Sequence, residues 1–351
     1  SLRDILSTLP GITFGAGEGG GGYGDSINLR GFSANTDITV DGVRDSAQYS
    51  RTDPFNLEQL ELVNGANSVY SGAGSVGGSI NLVSKSAHKR DSNIATLGLG
   101  TDNYRRLTLD SNQEIGETAA LRLNVMVHEN DAPGRDFENF KRWGIAPSFV
   151  IGLGTDTTFT LNLMHQHDDN LPQYGVPFYN GAPLPGVDSS NYYGYHNIDK
   201  QVIDSDSLTA ILNHHFNDNV SIRNLTRVSK VDQLSIVDAP QGVVCLPNNL
   251  TPLGTSCTVS GVATPPGTFR PGITNPRGYV RDTGNKAFVN QTDVNVQFNT
   301  GEIEHNLVAG IAFAHETFEL ENARLFRNAD GTSISQLPPM DLYNPDSFYA
   351  V

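Results

Sequence analysis

The residues best suited to chemistry are two arginines and a phenol on one short stretch: Arg44, Tyr49 and Arg51, within Asp41-Gly42-Val43-Arg44-Asp45-Ser46-Ala47-Gln48-Tyr49-Ser50-Arg51. Two cations, the Gln48 amide and a phenol on a loop suit an anionic ligand bearing aromatic rings, held by charge-assisted hydrogen bonds and stacking. The same spacing allows plain surface pairing of Arg44 with Asp45 and Arg51 with Asp53, and chemistry alone leaves both readings open. His165, His167, Asp168 and Asp169 have metal-ligand character, and His165 and His167 share one strand face. No third separated ligand stands out, so a structural role at a strand end is expected, with no metal. His214 and His215 point to opposite faces. Two runs match G-x-G-x-x-G, at 15–20 and 72–77. Neither sits between a strand and a helix N-terminus, as a dinucleotide site requires, so both read as close-packing loops. No nucleophile elbow, P-loop or zincin motif occurs, and nothing argues for an enzyme.

Cys245 and Cys257 lie in a stretch rich in Pro, Gly, Thr and Asn, with no His nearby to complete a zinc set. Free thiols there would be exposed, so a disulfide is expected, closing a loop of about 13 residues and stabilising it by roughly 3 kcal/mol. A bridge implies an oxidising compartment. The net charge of −15, from 23 Lys plus Arg and 38 Asp plus Glu, excludes a nucleic-acid binder, which needs a basic face. Glycine is abundant, 36 of 351 residues, and only 17% of residues are charged, the profile of an all-β chain. Apolar runs reach about eight residues, as over 307–314, far short of the roughly 18 of a membrane helix. A membrane barrel stays open, because alternating strands keep mean hydropathy low.

These groups must be positioned by two regions of different texture. Residues 1–88 are glycine-rich, with a helix expected over 2–9, a short one near 67–70, and strands at 26–29, 38–40, 59–63 and 79–83. This is a small α+β domain. From residue 91 the pattern becomes period-two alternation: Ala119, Leu121, Leu123, Val125 and Val127 against Arg122, Asn124 and His128. Nine such strands are expected, near 93–101, 104–113, 119–130, 140–152, 157–167, 205–216, 220–231, 287–299 and 305–320. In the eighth, Asn290 and Thr292 interrupt the apolar positions. Connections at 114–118, 153–156, 217–219 and 300–304 are tight, whereas 131–139, 168–204 and 233–286 are long and lengthen along the chain. Short turns at one end and long loops at the other is the layout of an outer-membrane barrel. Nine strands cannot close one in lipid, so the chain reads as a fragment cut at both ends, with more strands after Val351.

Four ordered motifs carry a family resemblance. They are Leu2-Arg3-Asp4-Ile5-Leu6 through Leu9-Pro10-Gly11-Ile12, Ile27-Asn28-Leu29-Arg30-Gly31-Phe32, Val40-Asp41-Gly42-Val43-Arg44, and Gly77-Gly78-Ser79-Ile80-Asn81-Leu82-Val83-Ser84-Lys85. Together they resemble the plug domain of TonB-dependent outer-membrane receptors. Gly17-Glu18-Gly19 followed by Asp25, and Val43-Arg44-Asp45 through Asp53-Pro54-Phe55-Asn56-Leu57-Glu58, resemble the catecholate-type ferric siderophore branch. The resemblance implies a plug over 1–88 inside a transmembrane antiparallel β-barrel of about 22 strands, whose N-terminal part spans 91–351.

It further implies import of ferric siderophore with energy from TonB and its inner-membrane complex, in the bacterial outer membrane, surrounded by lipid and lipopolysaccharide. Iron would travel only as the siderophore chelate, so no cofactor and no nucleic-acid partner is expected. A TonB box would precede Ser1. Substrate contacts are expected at Arg44, Gln48, Tyr49 and Arg51, joined from the external 168–204 loop by Gln173, Tyr174, Tyr192, Tyr193 and Tyr195. Family plug arginines pair with barrel glutamates, and Arg30 sits at one matching position. Asn64-Gly65-Ala66 stands where the family usually has Lys-Gly-Pro, which loosens one turn. Uptake of haem or cobalamin is the main alternative, and a passive porin or adhesin would lack the plug.

Overall fold

The computed structural model describes residues 2–15, 26–33, 38–44, 53–65, 76–238, 240, 242–271, 279–324, 330, 332 and 337–349. The short helix expected near 67–70 and most of both glycine runs lie outside these residues. The N-terminal region is α+β. Helix α1 (Leu2–Ser7) leads into β1 (Ile12–Gly15), which pairs with β2 (Ser26–Leu29) and through it β3 (Phe32–Ser33). A second sheet runs in the order β5-β4-β7-β6, from β4 (Ile38–Val40), β5 (Val43–Arg44), β6 (Leu57–Asn64) and β7 (Gly78–Ser84). Leu6, Ile27, Leu29, Ile38, Val40, Ile80 and Leu82 form the core between helix and sheets. Gly78 is required where the layers meet. Its φ is +133°, and a Cβ there would come within 2.1 Å of the Val63 carbonyl oxygen.

Nine long strands follow: β8 (Ser92–Leu99), β9 (Arg105–Glu114), β10 (Ala119–Asp131), β11 (Asn139–Ile151), β12 (Thr157–Asn170), β15 (Lys200–Asn217), β16 (Val220–Val237), β21 (Tyr279–Thr300) and β22 (Ile303–Arg324). They pair in chain order as one antiparallel wall. All nine expected strands are present, and the apolar face points outward. Leu121 and Val127 are exposed and Leu123 and Val125 half-exposed, while Arg122, Asn124 and Met126 between them are buried.

The last four strands run longer than their alternation suggested, at 18, 18, 22 and 22 residues. A tilted strand crosses the hydrocarbon in about 9–11 residues. The remainder stands in water at the long-loop end, where Asp204, Asp232, Asp282 and Glu321 interrupt the outward apolar rows. Inside the outward apolar band, Asn224 faces Thr292 and Thr226 faces Asn290. Asn224 Nδ2 donates to Thr292 Oγ1 at 2.7 Å and Asn290 Nδ2 to Thr226 Oγ1 at 2.8 Å. The interruption at Asn290 and Thr292 is thus half of a cross-strand square that satisfies its own polar groups, as a lipid-facing site demands.

The long connections are structured. They carry the hairpin of β13 (Phe178–Tyr179) and β14 (Ala182–Pro183), and that of β18 (Thr258–Val259) and β19 (Val262–Ala263). They also carry a three-stranded sheet of β17 (Gly242–Cys245), β20 (Thr268–Pro271) and β23 (Met340–Asp341). Residues from separate connections share one apolar cluster: Leu184, Tyr193, Tyr195, Phe269, Leu337, Met340 and Leu342. Cys245 and Cys257 are disulfide-bonded in the connection between β16 and β21, with Cα atoms 5.5 Å apart.

Candidate functional site

The plug lies against the polar inner face of the wall, fixed by acids of the plug and arginines of the strands. Asp53 opens a 3-10 turn at Pro54–Asn56, where its carboxylate accepts from Phe55 N at 3.0 Å and Pro54 occupies the first turn position. The same carboxylate is held by both Arg106 on β9 and Arg142 on β11, with Arg106 Nη1 to Asp53 Oδ2 at 3.0 Å. Arg142 is in turn paired with Asp168, and the Asp53 amide donates to Gln166 Oε1 at 2.9 Å. Burial by itself raises the Asp53 carboxyl. The Arg106 hydrogen bond and the charges of Arg106 and Arg142 outweigh that and hold it below the usual carboxylate range.

Two further anchors flank this one. Arg122 donates to Glu58 Oε2 and to both oxygens of Asp110, each at 2.8 Å, and Lys85 reaches Asp110 at 2.8 Å. Arg227 on β16 donates to the Val40 carbonyl at 3.1 Å beside Asp41. Apolar contacts fill the gaps: Phe55 with Met126, Ala146 and Met164, and Val43 with Leu225 and Val289. Among the described residues, the plug acids Asp41, Asp53 and Glu58 meet wall arginines, while the plug cation Lys85 meets the wall acid Asp110. Arg30 is exposed and makes no ion pair among the described residues. The sequence marks Asp53 only as a surface partner of Arg51 and Asp168 only as a possible metal ligand, and it does not mark Arg106, Arg142, Arg227 or Asp110. The available signal was arginine on the polar face of alternating strands, at 106, 122, 142 and 227, in a chain with only 23 Lys plus Arg.

Arg44 ends β5 and is exposed beside the wall, lining a small cleft with Ser205, Arg227 and Val231. Gln48, Tyr49 and Arg51 lie outside the described residues. Gln173 is exposed and Tyr174 half-buried on the external connection before β13. Tyr192, Tyr193 and Tyr195 are a correction: they are buried and occupied within the external cap. Tyr192 donates to Asp199 Oδ2 at 2.6 Å, Tyr193 donates to the Leu342 carbonyl at 2.6 Å, and Tyr195 packs edge-on against Tyr349. A loop this long needs a core of its own, and its tyrosines supply it. His165 and His167 point outward, with Nδ1 atoms 2.7 Å from Asp206 and Asp204.

The TonB-dependent receptor plug domain model matches residues 1–79. Over 99% of its length the chain is 36% identical to the catecholate siderophore receptor Fiu of Escherichia coli K12, spanning 44% of that protein. The chain belongs to the TonB-dependent outer-membrane receptors. The crystal structure of the ferric-catecholate import receptor Fiu in its open form superposes with a TM-score of 0.81 at 32% identity, covering 99% of this chain and 50% of that one. The probable TonB-dependent siderophore receptor PiuA of Acinetobacter baumannii is 40% identical over 66% of the chain and 32% of its own length. This receptor chain thus spans less than half the length of these curated relatives. Its plug, wall and outer-membrane location are those of the family.

Proposed function

We propose that the complete receptor imports ferric catecholate siderophores across the outer membrane with energy passed on by TonB. The observation carrying this reading is the 36% identity to Fiu sustained over 99% of the chain, through plug, wall and external segments alike. A plug anchored by charged pairs at three places does not clear the lumen spontaneously, so uptake needs work from outside, and TonB with its inner-membrane complex is the source. Iron is cargo, carried as the chelate, and the receptor is a transporter without catalytic chemistry.

A ferric tris-catecholate is anionic and aromatic, matched by cations and aromatic surface. The proposed contacts are Arg44, Gln48, Tyr49 and Arg51 on the plug, with Gln173 and Tyr174 on the external side. Outer-leaflet lipid and lipopolysaccharide surround the wall. The test is growth of an iron-starved strain lacking its own receptors, complemented with this one. It is fed ferric catecholates, ferric hydroxamates, haem or cobalamin, with and without TonB. TonB-dependent growth on catecholates supports the reading. Growth on haem or cobalamin alone, or growth independent of TonB, overturns it.

A further inference from the structure

Where the outward wall leaves the lipid, its side chains change character within two residues on each strand. The strand register aligns Leu163, Leu208, Val228 and Phe288 in one apolar row. The next row toward the external end is His165, Asp206, Lys230 and Lys286, and the one after it is Trp143, His167, Asp204 and Asp232. A groove of about 480 Å³ opens at this boundary, with Leu163, Leu208 and Val228 below and His165, Asp206 and Lys230 above.

The charges above the groove are placed against one another. Lys230 faces Lys286, and Asp204 faces Asp232, directly across the β16 pairings. Like charges directly opposite destabilise a sheet. Lys230 is paired with Asp232 along its strand, His165 with Asp206 and His167 with Asp204. The boundary therefore offers two facing lysines directly above the apolar row, with Asp206 beside them and Asp204 and Asp232 in the next row. One amphiphile complements all three: an acyl chain for the groove, a phosphate for the lysines and a primary ammonium for the aspartates.

We propose that this groove is a binding site for one membrane lipid bearing a phosphate and a primary amine, with the phosphate between Lys230 and Lys286. The ammonium donates hydrogen bonds to Asp204 and Asp232, which a quaternary ammonium cannot do. The site is independent of the imported ligand, because it lies on the opposite face of the wall from the plug.

Native mass spectrometry of the full-length receptor in detergent tests this, using phosphatidylethanolamine, phosphatidylglycerol and phosphatidylcholine of identical acyl chains. Phosphatidylethanolamine is expected to be retained at roughly tenfold lower concentration than either of the others. Lys286→Gln should weaken retention of all three, whereas Asp204→Asn should remove that preference. Leu208→Trp should fill the groove and weaken retention of all three while the charges stay in place. Heat-modifiable migration on gels checks that each variant is folded. Equal retention of the three lipids overturns the proposal, as does a preference for phosphatidylglycerol, or an Asp204→Asn receptor that selects like the parent.

Discussion

The Phe55 ring of the plug rests on the bare Cα of Gly144 in the wall: a Cβ at Gly144 would lie 2.8 Å from Phe55 Cζ and 2.9 Å from Cε1. The ring is buried, at 6% exposure, between Met126, Ala146 and Met164, and cannot retreat. Gly144→Val should therefore cost about 1–3 kcal/mol through overpacking. It should loosen the plug, read as entry of a large antibiotic normally excluded, while Phe55→Leu with Gly144→Ala should restore exclusion.

Acid should release the neighbouring anchor. The folded Asp53 carboxyl is held below its ordinary value, so its contribution is complete above the unfolded pKa of about 3.9 and lost as pH falls through the folded one. Conductance through the purified receptor should stay closed from neutral pH to about 4 and rise below it. Asp53→Asn should leave Arg106 and Arg142 without their shared charge, cost about 3–5 kcal/mol at neutral pH, and abolish the acid dependence.

The external cap should respond to alkali. Burial, with help from nearby Asp238, pushes the Asp199 carboxyl up to about 8 despite the hydrogen bond from Tyr192. The folded cap then keeps a proton that the unfolded chain gives up near pH 4. Stability falls by up to about 1.4 kcal/mol per pH unit between these values and levels off above the folded one. Limited proteolysis of the cap should accelerate from pH 6 to 8 and flatten beyond. An Asp199→Asn receptor should show no such rise.

Ligand recognition at the plug is decided by titration. Removing a buried charged hydrogen bond to a ferric catecholate should weaken binding roughly tenfold or more in Arg44→Ala. A change below about fivefold would place Arg44 in a surface ion pair. Fluorescence quenching by the ferric complex separates the two.

Leu123 and Arg122 are adjacent on β10 and face opposite ways. Leu123→Arg should cost about 2–4 kcal/mol in a bilayer-folding titration if it lies near the midplane. A negligible cost would contradict the outward assignment.

The wall was legible because lipid imposes a uniform rule. Leu121, Leu123 and Val125 must be apolar wherever the chain crosses, and period two reports that without knowledge of partners. The external halves of β15, β16, β21 and β22 obey no such rule, and their extent was underestimated. The Tyr193 cluster was hidden for another reason: its members come from connections about 150 residues apart, as in the Tyr193–Leu342 bond, and two-residue strands such as Met340–Asp341 leave no periodic trace. The seam escaped because Asp53 reads locally as a surface partner of Arg51. Only the fold brings Arg106 and Arg142 to it.

The square of Asn224, Thr226, Asn290 and Thr292 bears on assembly. A strand that slips by one residue turns its apolar side chains into the lumen and is rejected by the lipid. A slip of two residues keeps every apolar side chain facing out, and the bilayer has no means of detecting it. Between β16 and β21 the square supplies that missing check. Displaced by two, Asn224 would stand opposite Val294 or Asn290 instead of Thr292 and lose its short hydroxyl bond in a medium with no water to replace it. The interruption in the apolar band therefore acts as a proofreading mark for the pairing of these two strands.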